Sequence, residues 1–565
     1  MPPRFLPLIA LLVTPCLGTY ATAQTVGGEW STTLSMQSDA SGFGRSACRI
    51  EDIDADGIAD FAIGIPYFSP FWGTEAGAVR FYSGASGLLL RSTYGAAGYD
   101  HLGESVASIG DLNGDGIGDY ILGAPHSEVG GMSRAGSVFV RSGADDSLLL
   151  QLDGNYPDAF FGYAVASIPD VNGDLLDEIV IGAPGSSPSG KNGAGEAFVY
   201  SGSSGNMLAS FQGQHGGDSF GHSVAYGGDV NHDGLPEILV GALTTDVSFR
   251  TNCGSVFLYS GSSHQLIWRV DGAHSNDYLG RSVAGGGDIN GDGCSDMVLG
   301  APGSDPDNKS FAGSAFVHSG ADGSLLHRFD GLEPSDALGA SVANAGDVNG
   351  DGTNDFILGA PESLVHAGYA AVFSGADGSL MHVRRNGFLL GQVGYAVCGM
   401  GDLNGDGRSE VLTTAPYYSP TALADGYVYV YGFDPYLSSD STTISNSAGG
   451  TVEFDFDFPS PIGNSAYRLL GTANGLNATT IGGLEIPLTA NGVVWDAIAT
   501  NPPPTFLTNA TGILNPDGDG SATLTLPAGT ASALIDTNLH FAVIAYAPPT
   551  TGLASSAAVT LRILP

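Results

Sequence analysis

The stretch DLNGDGIGD, Asp111 to Asp119, returns six more times along the chain. The other copies are DIDADGIAD from Asp52, DVNGDLLDE from Asp170, DVNHDGLPE from Asp229, DINGDGCSD from Asp288, DVNGDGTND from Asp347 and DLNGDGRSE from Asp402. Successive copies start 59 residues apart five times and then 55 apart, which is the mark of a repeat architecture. Each copy follows a Phe/Leu/Val-Gly step and an apolar run, as in FGHSVAYGG from Phe220, and precedes a run ending in Gly-Ala-Pro, as in YILGAP from Tyr120. A third run such as GSVFVRSG from Gly136 and a fourth such as SLLLQLDG from Ser147 complete the unit. Four short strands bounded by turn residues make one blade of an antiparallel propeller.

The seventh unit stops after its third run, GYVYVYG (Gly426 to Gly432), and meets Phe433-Asp-Pro. Residues Gly28 to Met36, GEWSTTLSM, stand before the first Phe-Gly step where a fourth strand belongs, so the N-terminus is expected to complete the last blade and hide its edge. The expected fold class is all-β, a seven-bladed β-propeller over 24–435 followed by a small β-sandwich over 436–565. In that second region strands are expected at Val452 to Phe458, Tyr467 to Leu470, Leu484 to Leu488, Ala522 to Leu526, Leu539 to Tyr546 and Ala557 to Leu564, with Asp517 to Gly520 as a turn.

Composition narrows the function. The 565 residues hold 18 Lys+Arg against 58 Asp+Glu, a net charge of −40, which excludes a basic patch large enough for nucleic acid or an anionic membrane. Arg4, the apolar run Phe5 to Leu17 and Ala21-Thr22-Ala23 read as a signal peptide over 1–23, so the protein is expected to be secreted or periplasmic, without a membrane span. A lipoprotein anchor at Cys16 is the rival reading, but Pro15 sits where such signals need a small residue. Cys48 and Cys398 occupy equivalent places in blades expected to be neighbours, and both a bridge and a tight site for small side chains fit the pattern.

The Phe-Gly and Gly-Ala-Pro steps around a D-x-[DN]-x-D-G-x-x-[DE] loop closely resemble FG-GAP repeats, the units of the integrin α-subunit propeller, over residues 28 to 432. The resemblance implies a seven-bladed propeller with calcium in the loops between first and second strands. The residues point the same way. Oxygen ligands at loop positions 1, 3, 5 and 9 converge when the chain curls, and a set this large suits Ca²⁺ better than Mg²⁺. The candidate metal ligands are Asp52, Asp54, Asp56 and Asp60; Asp111, Asn113, Asp115 and Asp119; Asp170, Asn172, Asp174 and Glu178; Asp229, Asn231, Asp233 and Glu237; Asp288, Asn290, Asp292 and Asp296; Asp347, Asn349, Asp351 and Asp355; and Asp402, Asn404, Asp406 and Glu410. Up to seven Ca²⁺ are expected. In the third loop Leu175 replaces the position-6 glycine, where φ is expected to be positive, so that site should be the weakest.

Two features point to recognition. The residue after each Phe-Gly step varies: Arg45, Glu104, Tyr163, His222, Arg281, Ala340 and Tyr395. These are expected to ring the channel mouth on the face opposite the acidic loops. In integrin α-subunits the matching ring is largely aromatic and cages a basic residue of the β-subunit, and only Tyr163 and Tyr395 fit that pattern. Aromatic residues Tyr67, Phe68 and Trp72 in PYFSPFWG, with Tyr417 and Tyr418 in PYYSP, fall on the same rim, as sugar- or protein-stacking surfaces or as loop packing. His101, His215 and His274 are read as solvated loop residues. There is no HExxH, no G-x-S-x-G on a strand-to-helix turn, no P-loop and no dinucleotide motif. The leading expectation is an exported, calcium-binding propeller that binds an extracellular protein or glycan without chemistry. A polysaccharide lyase or glycosidase on the same scaffold, or a structural envelope protein, are the alternatives.

Overall fold

The computed structural model describes residues 26–38, 40, 42–71, 73–362, 368–385, 391–416 and 426–435, together with strands between Leu437 and Leu564. The protein is all-β, with a seven-bladed propeller built from the seven repeats. Blade 2 shows the plan: Ser105–Ile109, Asp119–Ala124, Ser137–Arg141 and Leu148–Asp153 form one antiparallel sheet in chain order. The second strand is buried along its whole length because both its faces pack against other blades, while the fourth alternates toward solvent. The seven first strands lie side by side in a closed circle, with Val397–Gly401 of blade 7 against Ser46–Arg49 of blade 1. In blade 7 the neighbour of the third strand, Gly426–Pro435, is the N-terminal strand Val26–Ser38.

The repeat motifs are the seams between blades. In blade 2 the glycine of the Gly-Ala-Pro step, Gly123, presses its bare Cα on the next blade's Phe-Gly carbonyl: a methyl carbon there would stand 2.2 Å from the Gly162 oxygen. The hydroxyl of Ser105 donates to the same oxygen at 2.8 Å. Ser46, Ser223, Ser282 and Ser341 make the equivalent bonds to Gly103, Gly280, Gly339 and Gly394. At the junction of blades 7 and 1 the pattern changes, since Thr414 replaces the glycine and its buried hydroxyl donates to Gly44 O at 2.7 Å. Apolar clusters fill the wedges between blades. One joins Phe61, Ile63 and Tyr82 of blade 1 to Leu412, Val428 and Val430 of blade 7 and takes in Met36 of the N-terminal strand.

Cys48 and Cys398 are free thiols, and burial, then the neighbouring Cys398, pushes the Cys48 thiol up. A second compact unit comprises the described residues among 434–565 together with residues 26–30. It contains a four-stranded sheet of Leu437–Ser439, Gly450–Asp457, Asp519–Leu526 and Leu507–Thr508, and further strands at Ala466–Thr472, Asn538–Ala547, Thr551–Ser556 and Val559–Leu564. The expected turn at Asp517 to Gly520 is corrected in part: Asp519 and Gly520 already pair with Asp457 and Phe456, because the alternating partner strand extends the ladder to that point.

The seam makes a direct prediction. Gly123→Ala drives a methyl into the Gly162 carbonyl and should cost about 1–3 kcal/mol by overpacking. Gly114→Ala meets no atom within 4 Å, but its φ of +78° should still cost about 1 kcal/mol. Denaturant midpoints of the two variants should therefore fall in that order, and equal midpoints would contradict the seam.

Candidate cation loops and the mouth of the channel

The acidic loops curl around their first aspartate. In blade 2 Asp111 Oδ1 accepts from the backbone N–H of Gly114 at 2.7 Å and Asp115 at 3.1 Å, while Oδ2 accepts from Gly116 at 2.6 Å. These bonds, Gly116 foremost, hold the Asp111 carboxyl below its ordinary range. Asn113 Oδ1 and Asp115 Oδ1 accept from Asp115 N and Ile117 N. The curl needs positive φ twice, at position 6 as expected and also at position 4. Position 4 carries Ala55 and His232, with φ of 61° and 59°, as well as five glycines. Leu175 does adopt φ 68° and is 88% exposed.

The ninth residue stands at the start of the blade's buried second strand. Asp60, Asp119, Glu178, Glu237, Asp296, Asp355 and Glu410 are all at most 1% exposed. Asp119 Oδ2 accepts from Leu112 N at 2.9 Å and Oδ1 from Gly143 N at 3.0 Å, so it ties the loop to the end of the third strand. The Ser-Gly step there is a site signal that reading the loops alone missed: Ser142, Ser201 and Ser319 donate to the position-5 carboxylates Asp115, Asp174 and Asp292. In the loops closed by Glu178, Glu237 and Glu410 the longer side chain also accepts from the position-3 amide of Asn172, Asn231 or Asn404.

Whether these residues suit a cation can be judged from their charge balance. Among the described residues no Lys or Arg forms an ion pair with Asp60, Asp119, Glu178, Glu237, Asp296 or Asp355. Burial, opposed by backbone hydrogen bonds and reinforced by the other loop carboxylates, pushes Asp60 up to about 6 and Glu178, Glu237 and Asp355 up to about 7. In three loops carboxylate oxygens of Asp52/Asp54/Asp60, Asp170/Asp174/Glu178 and Asp229/Asp233/Glu237 lie within 4.8 Å of one another and could hold a metal ion. Converging hard oxygens without a counter-charge fit a divalent cation.

At the opposite ends of the first strands the variable residues meet one another. Arg45 pairs with Glu104 at 3.1 Å and stands over the rings of Tyr395 at 4.7 Å and Tyr67 at 5.8 Å. Burial opposes its charge, yet Glu104, Tyr395 and Tyr67 outweigh it and hold the guanidinium above its ordinary pKa. Tyr163 packs edge-on to His222 at 5.0 Å, and Arg281 Nη1 donates to His222 Nε2 at 3.4 Å. Burial and then Arg281 depress His222 to about 3, so this imidazole is neutral at physiological pH. Ala340 faces a cavity beside the mouth.

On the outer rim Tyr67 meets His101 at 5.2 Å, His101 stacks on His126 at 4.1 Å, and His126 meets Phe160 at 5.2 Å. The reading of His101 as solvated is therefore corrected: it is 9% exposed, covered by these rings and by Glu75 at 3.4 Å. His215 and His274 are exposed and approach Asp218 and Asp277. Phe68 is half-buried and packs against the blade 1–7 core, while Phe71, two places beyond the exposed Ser69, is 97% exposed. Trp72, Tyr417 and Tyr418 lie outside the described residues.

A second ring escaped the sequence reading. The residue just before each Phe-Gly step has positive φ in every blade: Gly42, His101, Phe160, Ser219, Tyr278, Ala337 and Gln392. Its variability, on a backbone that is uncommon for side chains other than glycine, was the available signal.

Residues 161–200, 279–318, 338–373 and 393–431 match the FG-GAP repeat. The chain is 28% identical over 251 residues to integrin alpha-5 of Xenopus laevis, covering 41% of this chain and 23% of that protein. It is 30% identical over 232 residues to integrin alpha-V of Gallus gallus (39% and 22%) and 37% over 153 residues to integrin alpha-7 of Rattus norvegicus (25% and 12%). The chain thus spans less than a quarter of the length of these relatives. Blade order, acidic loops and these matches define an integrin-α-like FG-GAP propeller.

The strained loop offers a test. Leu175→Gly relieves a left-handed conformation that costs about 1–2 kcal/mol for a side-chain-bearing residue, and Leu175 touches little, so the variant should melt higher than the parent. A lower melting temperature would show that Leu175 contributes contacts that outweigh the strain.

Proposed function

We propose that this is an exported propeller, stabilised by Ca²⁺ in up to seven loops, that binds an extracellular protein or glycan through the face opposite those loops and performs no chemistry on it. The observation that carries this reading is the segregation of groups along the first strands: acids at one end, and at the other Arg45, Arg281, Tyr163, Tyr395 and the Tyr67–Phe160 aromatic run. In a chain with only 18 Lys+Arg, two guanidiniums at one channel mouth are a concentration that folding does not require. The relatives are named integrins, and adhesion is the corresponding role here. Their expected cage for a partner's basic residue is supported less well, because Arg45 of this chain already covers Tyr395 and is neutralised by Glu104.

The signal peptide at 1–23, the boundary near 435 and a β-sandwich role for residues 436–565 belong to the same proposal; residues 1–25 lie outside the described ones. Among the described residues no helix is long and apolar enough to cross a membrane. Immobilised glycans and extracellular proteins should retain the calcium-loaded protein without release of reducing or unsaturated ends. Turnover would favour the polysaccharide-degrading alternative, and self-assembly without any ligand would favour the envelope role.

Metal dependence follows from the uncompensated carboxylates. Chelation should lower the melting temperature, and re-addition of Ca²⁺ to about 100 Kd should restore about 2.7 kcal/mol per independent site. Metal analysis at saturation should find six or seven ions, with the loop of Asp170 filling last. Two ions or fewer, or a melt indifferent to chelator, would end the calcium reading.

A further inference from the structure

Beside the channel mouth lies a cavity of about 520 Å³, within the range of small-ligand pockets. Arg281, Tyr278, Phe311, Tyr395, Gln392 and Glu362 line it. Its two guanidiniums are not alike. Arg45 is neutralised by Glu104 at 3.1 Å, whereas among the described residues Arg281 forms no ion pair with any carboxylate and donates to the neutral His222 at 3.4 Å. An uncompensated guanidinium, half-buried in a protein of net charge −40, is a position kept for an anion.

The rest of the wall limits what that anion is attached to. Tyr278, Phe311 and Tyr395 offer aromatic surface. Gln392 Oε1 is buried without a hydrogen-bond partner, and the exposed Glu362 adds a carboxylate, so this part of the wall accepts hydrogen bonds and repels a second negative charge. A fitting ligand carries one carboxylate, a ring to lie on the aromatics, and hydroxyls to donate. A glutamate-rich peptide supplies the carboxylate on a flexible stem and donates through backbone N–H groups, but it offers no hydroxyl-bearing ring to lie on the aromatics. A densely sulfated chain meets the protein's own negative field.

We infer that this cavity binds a uronate residue of an acidic glycan, with the sugar carboxylate on Arg281, the ring against Tyr278 and Phe311, and hydroxyls toward Gln392 and Glu362. The inference rests on the reading of this face as a recognition surface and names the ligand class for it.

Calorimetry on the full-length, calcium-saturated protein at fixed Ca²⁺ and about 0.15 M salt would compare three probes. These are a tetrasaccharide carrying one uronate residue among neutral sugars, the same tetrasaccharide with that carboxyl reduced to an alcohol, and a glutamate-rich peptide. The first should bind, and the second should bind about tenfold or more weakly because the guanidinium is left unpaired. Arg281→Gln should lose a similar factor for the uronate probe with an unchanged melting temperature, and Tyr278→Ala should weaken it severalfold. Arg328→Gln, which removes an exposed guanidinium paired with Asp330 on an outer strand, should change nothing. If Arg281→Gln unfolds, the reduced probe still decides the matter on the unaltered protein. No binding of the uronate probe, equal binding of the reduced one, preference for the peptide, or a folded Arg281→Gln that binds within twofold of the parent would each overturn the inference. Another ligand retained equally by parent and Arg281→Gln would leave the recognition reading standing and remove only this one.

Discussion

The propeller depends on one contact repeated around the ring: a carbonyl oxygen of the Phe-Gly glycine lodged on the bare Cα of the preceding blade's Gly-Ala-Pro glycine. Both glycines are needed for different reasons. Gly162 needs its positive φ of 86°, whereas Gly123 needs the absence of a side chain at a 2.2 Å approach. The serine hydroxyl that donates to the same oxygen turns a close approach into a satisfied polar contact, which a buried carbonyl requires. Where Thr414 takes over, hydroxyl and spacer come from one residue, and the blades there are also joined by the N-terminal strand and the Phe43–Val428 core. Closure is thus built with different chemistry from propagation.

The acidic loops are subordinate to that frame in geometry but not in charge. Their ninth residue is a structural acceptor first: Asp60, Asp119, Asp296 and Asp355 fix the loop to a glycine amide at the end of the third strand, while Glu178, Glu237 and Glu410 accept from the loop backbone and the position-3 asparagine amide. The same burial that makes it a good acceptor makes its charge expensive in the absence of a counter-ion, which is why Asp355 and Glu178 are pushed up to about 7. Carboxylates at positions 1 and 5 stay near solvent: Asp111 is held below its ordinary range by backbone amides, Gly116 foremost, and Asp174 by the Ser203 hydroxyl and then the Leu176 amide. A divalent ion would bind where one buried, destabilised carboxylate meets several well-solvated ones, so metal affinity and blade stability are coupled through a single residue per loop.

How much of this was legible in the sequence follows from what each feature depends on. Blade number, strand order and the acidic loop positions are local patterns repeated seven times, and repetition separates them from noise. The αL strain at Leu175 was legible because six sister loops show what belongs there. Contacts between units were not: nothing in the spacing reveals that His101 is covered by Tyr67 and His126, or that Phe68 serves the core while Phe71 faces solvent. Those depend on side chains from different blades meeting across a rim, where the repeat imposes no pattern. The ring after the Phe-Gly step could be placed, but its pairing of Arg45 with Glu104 and of Arg281 with His222 emerges only from the closed circle.

That division explains why one scaffold can keep its fold while its mouth changes. The invariant contacts lie along the glycine seams and at the loop ends, and they use backbone atoms, hydroxyls and carboxylates whose partners belong to the repeat itself. The two positions flanking each glycine of the Phe-Gly step on the mouth side obey only a backbone rule. The residue two places before that glycine must tolerate positive φ and the residue just after it must start a strand, so the repeat does not dictate their side chains, although His101 and Ala337 are buried. In this chain the release has produced an asymmetric mouth: Arg45 is spent on Glu104 and the tyrosines, and Ala340 opens space beside Arg281. Arg45 itself lies over the Tyr395 ring, and the charge left over at Arg281 faces the cavity. On the proposed reading, recognition would run inward, into this pocket, and a ligand small enough to enter it would be favoured over a broad surface laid across the ring.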